Sequence, residues 1–104
     1  MREVLQRYRA AYEELDTGLT SAVWPAVDRS TLARAFDGLT SQTLRFDDCR
    51  VELRGAAADA LCRGSTQYVP KVGNRQPRLE SRVWSFSLRK AGGNWEIESA
   101  RAAR

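Results

Sequence analysis

The chain has 104 residues, of which 42% are hydrophobic and 29% are charged, and its formal net charge is +4. This length suits one domain with one core, and the composition is that of a globular protein, which excludes a disordered tail. No apolar run approaches the ~18 residues that a membrane span needs, and the charged start lacks the apolar core of a signal peptide. We expect a single domain over residues 1–104, without membrane insertion. It could have been excised from a longer protein, because residues 100–104 read like the start of a linker.

The residue types exclude most metal and histidine chemistry. The sequence has no histidine and only two cysteines, Cys49 and Cys62. A zinc site would need further nitrogen or sulfur ligands, and a histidine base or a histidine-centred triad has no candidate residue. We therefore expect no metal, no cofactor and no complete catalytic constellation.

Positive charge is concentrated in the second half of the chain. Between Arg63 and Lys90 several arginines and lysines stand against a single acid, Glu80. No helix-turn-helix, zinc-finger or RNA-binding motif accompanies them, so nucleic-acid binding is not expected. The hairpin from Tyr68 to Arg82 could bind phosphate or an acidic partner segment, although a solvated basic surface is the simpler interpretation.

The first part of the chain has helical periodicity. Apolar residues recur at helical spacing over residues 2–16, which predicts an amphipathic helix with Gly18 as its left-handed cap. A short helical turn is predicted over residues 20–24. A second full helix follows, capped at its start by Asp28 or Ser30.

From Ser41 onward the apolar residues alternate, as in strands. Their parity flips at Asp47-Asp48, which one inserted residue would produce, so we predict a β-bulge that bends this strand sharply. Three further strands are predicted to end near Val69, Lys90 and Ser99, joined by turns rich in Gly, Asn and Pro. Helices followed by a four-stranded meander predict an α+β layer architecture.

Several local patterns follow one another in a distinctive order. A long first helix with paired tyrosines precedes a Trp24-Pro25 step and a short helix. A bent strand then reads Leu44-Arg45-Phe46-Asp47-Asp48-Cys49, and the last strand begins Gly93-Asn94-Trp95-Glu96-Ile97. From about Arg2 to Ser99 this order resembles the nuclear transport factor 2-like superfamily, in its small bacterial branch alongside SnoaL-like proteins.

The resemblance implies a cone-shaped α+β fold, with N-terminal helices packed on a curved four-stranded antiparallel sheet and a pocket at the open end. Enzymes of the superfamily place an Asp or His base in that pocket, whereas other members are accessory domains or dimeric scaffolds. No position here matches a catalytic motif of the family, so no catalytic residue is carried over. We expect a non-catalytic accessory domain that binds a small apolar ligand or a protein partner. The alternative is a SnoaL-like isomerase, dehydratase or cyclase acting on an apolar carbonyl compound.

Aromatic and polar side chains are expected to line the pocket. Strand parity places Asp48 on the face of Phe46, and Arg82 on the face of Trp84, so both polar groups would point into the cone. Asp48 is the one weak candidate for a general base. Its alternative role is structural, at the bulge or paired with Arg82. The expected pocket residues, which could equally be core residues, are Tyr8, Tyr12, Trp24, Asp48, Arg82 and Trp84.

One sheet face is expected to lie away from the helices and to carry small, mildly apolar residues. Val83, Ser85 and Ser87 alternate there with the inward positions of their strand. Members of the superfamily commonly pair through this face, so we expect a homodimer. The small side chains predict a weak interface.

Cys49 and Cys62 are predicted to face each other. If the turn is centred near Gly55-Ala56, they lie on adjacent antiparallel strands, at a Cβ spacing slightly wider than a disulfide prefers. In a reducing cytosol they would be buried neighbouring thiols. We favour this interpretation, and with it a cytoplasmic location. A disulfide would instead indicate a location outside the cytoplasm.

Overall fold

The helices precede the strands in the chain, and each strand pairs with the next. A computed structural model describes residues 1–103. Its helices are α1 (Arg2–Glu13), α2 (Thr17–Val23) and α3 (Arg29–Asp37). Its strands are β1 (Leu39–Arg54), β2 (Ala57–Pro70), β3 (Arg78–Ala91) and β4 (Asn94–Ala103), in the antiparallel order β1-β2-β3-β4. The predicted α+β architecture with a four-stranded meander is confirmed.

The junction between α1 and α2 depends on Asp16. Its carboxylate accepts a hydrogen bond from the backbone N–H of Leu19 at 2.9 Å, which satisfies a free donor at the start of α2. Leu15, and not a glycine, takes the left-handed conformation after α1, with φ 54°. The prediction that Gly18 caps α1 is wrong, because the Asp16 cap begins a new helix that includes Gly18.

Asp28 caps α3, as one of the two predicted candidates. Its carboxylate accepts a hydrogen bond from the backbone N–H of Thr31 at 3.1 Å, and this bond lowers the pKa of Asp28. Ser30 is not the cap, and its hydroxyl donates to the same carboxylate at 3.0 Å. From this start, α3 buries Leu32 and Phe36.

The bend in β1 is a β-bulge at the predicted position. Phe46 pairs with Gly64, but Asp48 pairs with Arg63, so one residue of β1 is left over in the register. Gly64 allows the two backbones to approach closely, because a Cβ atom there would lie 1.8 Å from the carbonyl oxygen of Arg45. Only glycine therefore fits opposite the bulge.

Helix α1 packs on the concave face of the bent sheet. Its buried residues Val4, Leu5 and Tyr8 belong to one core with the inward residues of the strands. The ring of Tyr8 meets Phe86 edge to face, with centroids 5.0 Å apart. The strand residues of this core are Leu44, Ala58, Ala60, Cys62, Trp84, Phe86, Leu88 and Ile97.

The last strand extends beyond its predicted end. Val83 of β3 pairs with Ala103, and Phe86 pairs with Ala100. The interpretation of residues 100–103 as a linker is therefore wrong, because their backbone pairs with β3 and satisfies groups that would otherwise lack partners there. Arg104 lies outside the described residues.

Cys49 and Cys62 face each other across β1 and β2, as predicted, with Cα atoms 4.1 Å apart. They form a disulfide, so the favoured expectation of free thiols is wrong for this structure. Cys62 is fully buried, but Cys49 is exposed because β1 is an edge strand. The bridge follows directly after the bulge and ties this part of β1 to β2.

Reduction of this bridge should lower the free energy of unfolding by up to about 3 kcal/mol, because the unfolded chain regains the freedom of a short loop. Thermal unfolding with and without dithiothreitol measures the change. Cys49→Ala removes an exposed side chain without leaving a cavity, and its lowered midpoint should not respond to dithiothreitol. A wild-type midpoint unchanged by reduction, or two alkylated cysteines in denatured but unreduced protein, would contradict the bridge.

Candidate functional site

A cavity of about 380 Å³ lies between the helices and the concave face of the sheet. Two helices, α1 and α3, contribute to its wall, together with all four strands. Its volume is in the range of sites for small organic molecules. The lining residues are Tyr8, Tyr12, Ala35, Leu39, Gln42, Leu44, Thr66, Tyr68, Arg82, Trp84, Ala100 and Ala102.

The structure brings four of the six predicted pocket residues together. Tyr8 and Tyr12 line the cavity from α1, and Arg82 and Trp84 line it from β3. Trp24 is not in the wall. It packs between the main core and the smaller apolar cluster around α3, and its indole N–H is buried without a hydrogen-bond partner among residues 1–103.

Asp48 lies outside the cavity, and its predicted orientation is wrong. Because of the bulge, Asp48 pairs with the exposed Arg63, whereas the next pair of the register joins Cys49 to the buried Cys62. Opposed residues share a sheet face. Asp48 is therefore exposed on the face opposite that of Phe46, because simple alternation no longer holds after the inserted residue.

Arg82 forms its ion pair with Glu80, and not with Asp48. Both side chains are mostly buried, with 22% and 23% of their surfaces exposed. Glu80, Arg82 and Trp84 lie at alternate positions of β3, so they share the concave face. Sequence reasoning missed Glu80 as the partner of Arg82, although the alternation that placed Arg82 on this face also includes Glu80 two residues earlier.

Tyr8 and Tyr12 lie one helical turn apart and form a pair, with ring centroids 4.4 Å apart. Burial is the main reason why the pKa of each phenol is raised above its ordinary value. The neighbouring phenol of Tyr12 also raises the pKa of Tyr8, whereas the proximity of Tyr8 opposes the increase in the pKa of Tyr12. Both phenols belong to the wall of the cavity, where a hydroxyl group can donate or accept a hydrogen bond.

Polar contacts fix α1 against β1 at the wall of the cavity. The Glu13 carboxylate accepts a hydrogen bond from the backbone N–H of Leu44 at 3.1 Å. The side-chain amide of Gln42 donates to the carbonyl of Tyr12, also at 3.1 Å. The helix and the edge strand thus each satisfy a backbone group of the other through a side chain, and Tyr12 is held in a defined position.

A larger groove of about 760 Å³ lies on the outer face of the sheet. Its polar residues, such as Arg50, Glu52 and Arg101, are exposed. In the smaller cavity a tyrosine pair and the mostly buried Arg82 converge beside apolar walls, which is the usual composition of a ligand site. We therefore regard the concave-face cavity as the candidate site.

The described residues offer no obvious metal centre. Among residues 1–103, no three His, Cys, Asp or Glu side chains are grouped so that they could hold a metal ion. Within the same residues, no helix has both the length and the apolar character that crossing a membrane requires. The polar groups that line the cavity include the tyrosine hydroxyl groups and the Arg82 guanidinium.

Solved structures share this architecture over nearly the whole chain. A candidate dehydratase of the nuclear transport factor 2-like family from Streptomyces avermitilis superposes with a TM-score of 0.85 and 14% identity, covering 97% of this chain and 91% of its own. A nuclear transport factor 2-like superfamily protein from Salmonella enterica serovar Typhimurium gives 0.84 and 18%, covering 97% and 85%. The hexachlorocyclohexane dehydrochlorinase LinA-type3 from Novosphingobium barchaimii gives 0.79 and 8%, covering 98% and 82%.

Comparison of the amino-acid sequence alone does not detect this similarity. No protein-family model and no curated protein matches it. The structural likeness extends over helices and sheet together, as the resemblance of the sequence implied. The chain has the nuclear transport factor 2-like fold.

Proposed function

We propose that the chain binds a small, flat and largely apolar molecule with a carbonyl or similar acceptor in the concave-face cavity. The observation that carries this proposal is the convergence of Tyr12 and Arg82 on one cavity beside Trp84 and Leu44. The aromatic and aliphatic walls suit the apolar body of a ligand. The Tyr12 hydroxyl and the guanidinium group are donors for its oxygen.

The charge balance of the cavity favours a neutral ligand. Arg82 lines the cavity and already forms an ion pair with Glu80, its neighbour on the concave face. An anionic ligand would have to compete with this carboxylate for the guanidinium group, or remain close to it without a counter-charge. A carbonyl oxygen can accept a hydrogen bond from Tyr12 without separating the ion pair.

The ketone 1-tetralone and its hydrocarbon analogue tetralin test this binding. We expect 1-tetralone to bind more tightly, because only it can accept the hydrogen bond of Tyr12, and quenching of tryptophan fluorescence measures both affinities. Tyr12→Phe should weaken binding of the ketone about five-fold and leave tetralin unchanged. Asp48→Asn, outside the cavity, is the matched control and should have no effect. Equal affinities of the two compounds, or no binding of either, would contradict the proposal.

Catalysis is the second candidate function, as an isomerase, dehydratase or cyclase acting on an apolar carbonyl compound. Fold neighbours that are a candidate dehydratase and a dehydrochlorinase support this reading. In this chain the favouring observation is that Glu80 lies on the concave face beside Arg82. Its carboxylate would take a proton from the carbon next to the carbonyl. The Tyr12 hydroxyl would donate a hydrogen bond to the enolate oxygen that forms.

Proton abstraction can be detected before any natural substrate is known. In D2O, a catalytic Glu80 should exchange the protons next to the carbonyl of 1-tetralone for deuterium, and proton NMR follows their loss. Glu80→Gln should reduce the exchange to the uncatalysed rate, whereas Asp48→Asn should retain it. Binding without exchange in the wild type would instead favour a non-catalytic accessory domain, in which the cavity only holds its ligand.

We also propose that two copies pair weakly through the outer sheet face. Leu61 and Ser85 are opposed at its centre, and Arg50 and Arg101 flank them in the same row of the register. Leu61→Arg should abolish concentration-dependent association in sedimentation velocity, because it puts a charge at the centre of the interface. Leu53→Arg, an exposed position of β1 outside this face, should leave association unchanged. A wild type that stays monomeric at high concentration would rule out the dimer.

The disulfide supports a location in an oxidising compartment. Structural disulfides persist outside the cytoplasm, whereas cytosolic reductants keep most thiols reduced, and Cys49 is exposed to such reductants. We infer that the chain functions outside the cytoplasm. Free thiols in protein isolated from its native host would remove this inference.

A further inference from the structure

The turn between β2 and β3 forms a protruding basic tip, which we define as residues 71–79. Every residue in it is exposed. It carries Lys71, Arg75 and Arg78 and no acidic residue. In the part of the chain that the structure describes, none of these three cations takes part in an ion pair. The basic tip is therefore a local source of uncompensated positive charge.

The basic tip also exposes two large aliphatic side chains. Val72 is 79% exposed and Leu79 is 70% exposed, more than any other large hydrophobic residue of the described chain. Such side chains at the end of a hairpin contribute nothing to the core. Aliphatic groups beside uncompensated cations are the combination found where proteins adsorb to lipid surfaces.

Hydrogen bonds hold the basic tip in a defined shape. The backbone N–H of Lys71 donates to the carbonyl of Gly38 at 3.0 Å, which ties the tip to the end of α3. The backbone N–H of Gln76 donates to the side-chain oxygen of Asn74 at 3.1 Å. Gly73 between them takes the left-handed conformation, with φ 78°. A preformed turn loses little conformational entropy when it binds a surface.

We propose that the basic tip binds an anionic lipid surface. Its cations would contact the phosphate groups, and Val72 and Leu79 would enter the headgroup layer without crossing the bilayer. The exposure of the tip favours this partner over an acidic peptide, because an extended peptide needs a groove or an open strand edge for its side chains. All nine residues of the tip are exposed instead.

Binding in this orientation would bring the part of the cavity lined by Leu39 and Tyr68 close to the membrane. Leu39 and Tyr68, which line the cavity, lie beside the tip because Leu39 pairs with Pro70 and Tyr68 pairs with Arg78. An apolar ligand could then pass from the lipid into the cavity. The surface interaction itself does not depend on the ligand-binding function, so the two can fail independently.

Co-sedimentation with lipid vesicles tests the proposal. The intact protein should bind vesicles that contain phosphatidylglycerol and phosphatidylcholine in equal parts, and not vesicles of phosphatidylcholine alone. Binding should weaken between 0.05 and 0.5 M NaCl, because salt screens charge attraction. The triple variant Lys71→Gln/Arg75→Gln/Arg78→Gln should bind roughly 100-fold more weakly, since each surface cation contributes roughly five-fold.

A matched control removes the same charge at the opposite end of the molecule. Arg2, Arg7 and Lys90 are exposed, and Lys90 lies about 40 Å along β3 from the basic tip. Changing these three residues to Gln should reduce binding far less than the tip variant does. Val72→Ser/Leu79→Ser should also weaken binding, and its residual binding should be more sensitive to salt.

Three results would overturn the proposal. The first is equal binding to neutral and anionic vesicles. The second is an equal loss of binding in the tip variant and the control variant, which would indicate attraction to the net charge alone. The third is tip-dependent binding of a soluble poly-glutamate peptide by a protein that does not bind the anionic vesicles, which would identify an acidic polypeptide as the partner.

Discussion

Where β2 passes the bulge in β1, the backbone of Gly64 lies so close to the carbonyl of Arg45 that no side chain fits between them. This approach allows the sheet to bend, and the bend creates a concave face. Helix α1 can bury Tyr8 against Phe86 only because that face is concave. The cavity is the part of the same face that remains unfilled beside α1 and α3. A larger residue at Gly64 would therefore disturb the pairing of β1 with β2, the packing of α1 on the sheet and the shape of the candidate site.

The arginine at the cavity and the arginines at the basic tip occupy different electrostatic environments. Arg82 is mostly buried and paired with Glu80, so it can orient a neutral oxygen without presenting a net charge to the cavity. Arg75 and Arg78 are exposed and unpaired in the described structure. Such charges act over roughly a Debye length and attract anionic surfaces. The binding proposed for the cavity and the attraction proposed for the tip thus use the same residue type in different surroundings.

Local patterns predicted most of the fold and part of the site. Helical and alternating periodicities predicted the order of elements, and the parity flip predicted the bulge at its observed position. The same alternation predicted that Arg82 and Trp84 share the concave face with the tyrosines of α1. The error at Asp48 arose because alternation was continued through the bulge, where the inserted residue reverses the face. Gly18 was misjudged because a left-handed glycine and an Asp16 cap compete at the same helix junction.

The sequence by itself determined the α+β architecture, the bend in β1, the facing cysteines and the basic hairpin, because each depends on residue type and spacing along neighbouring segments. The tertiary structure alone decided that Glu80 is the partner of Arg82, that the rings of Tyr8 and Tyr12 pair at the cavity, and that Trp24 joins the core outside the cavity. It also decided that Cys49 is exposed, while Cys62 is buried. These features depend on how α1 packs against the curved sheet. The spacing of residues along the sequence does not specify which side chains that packing brings together.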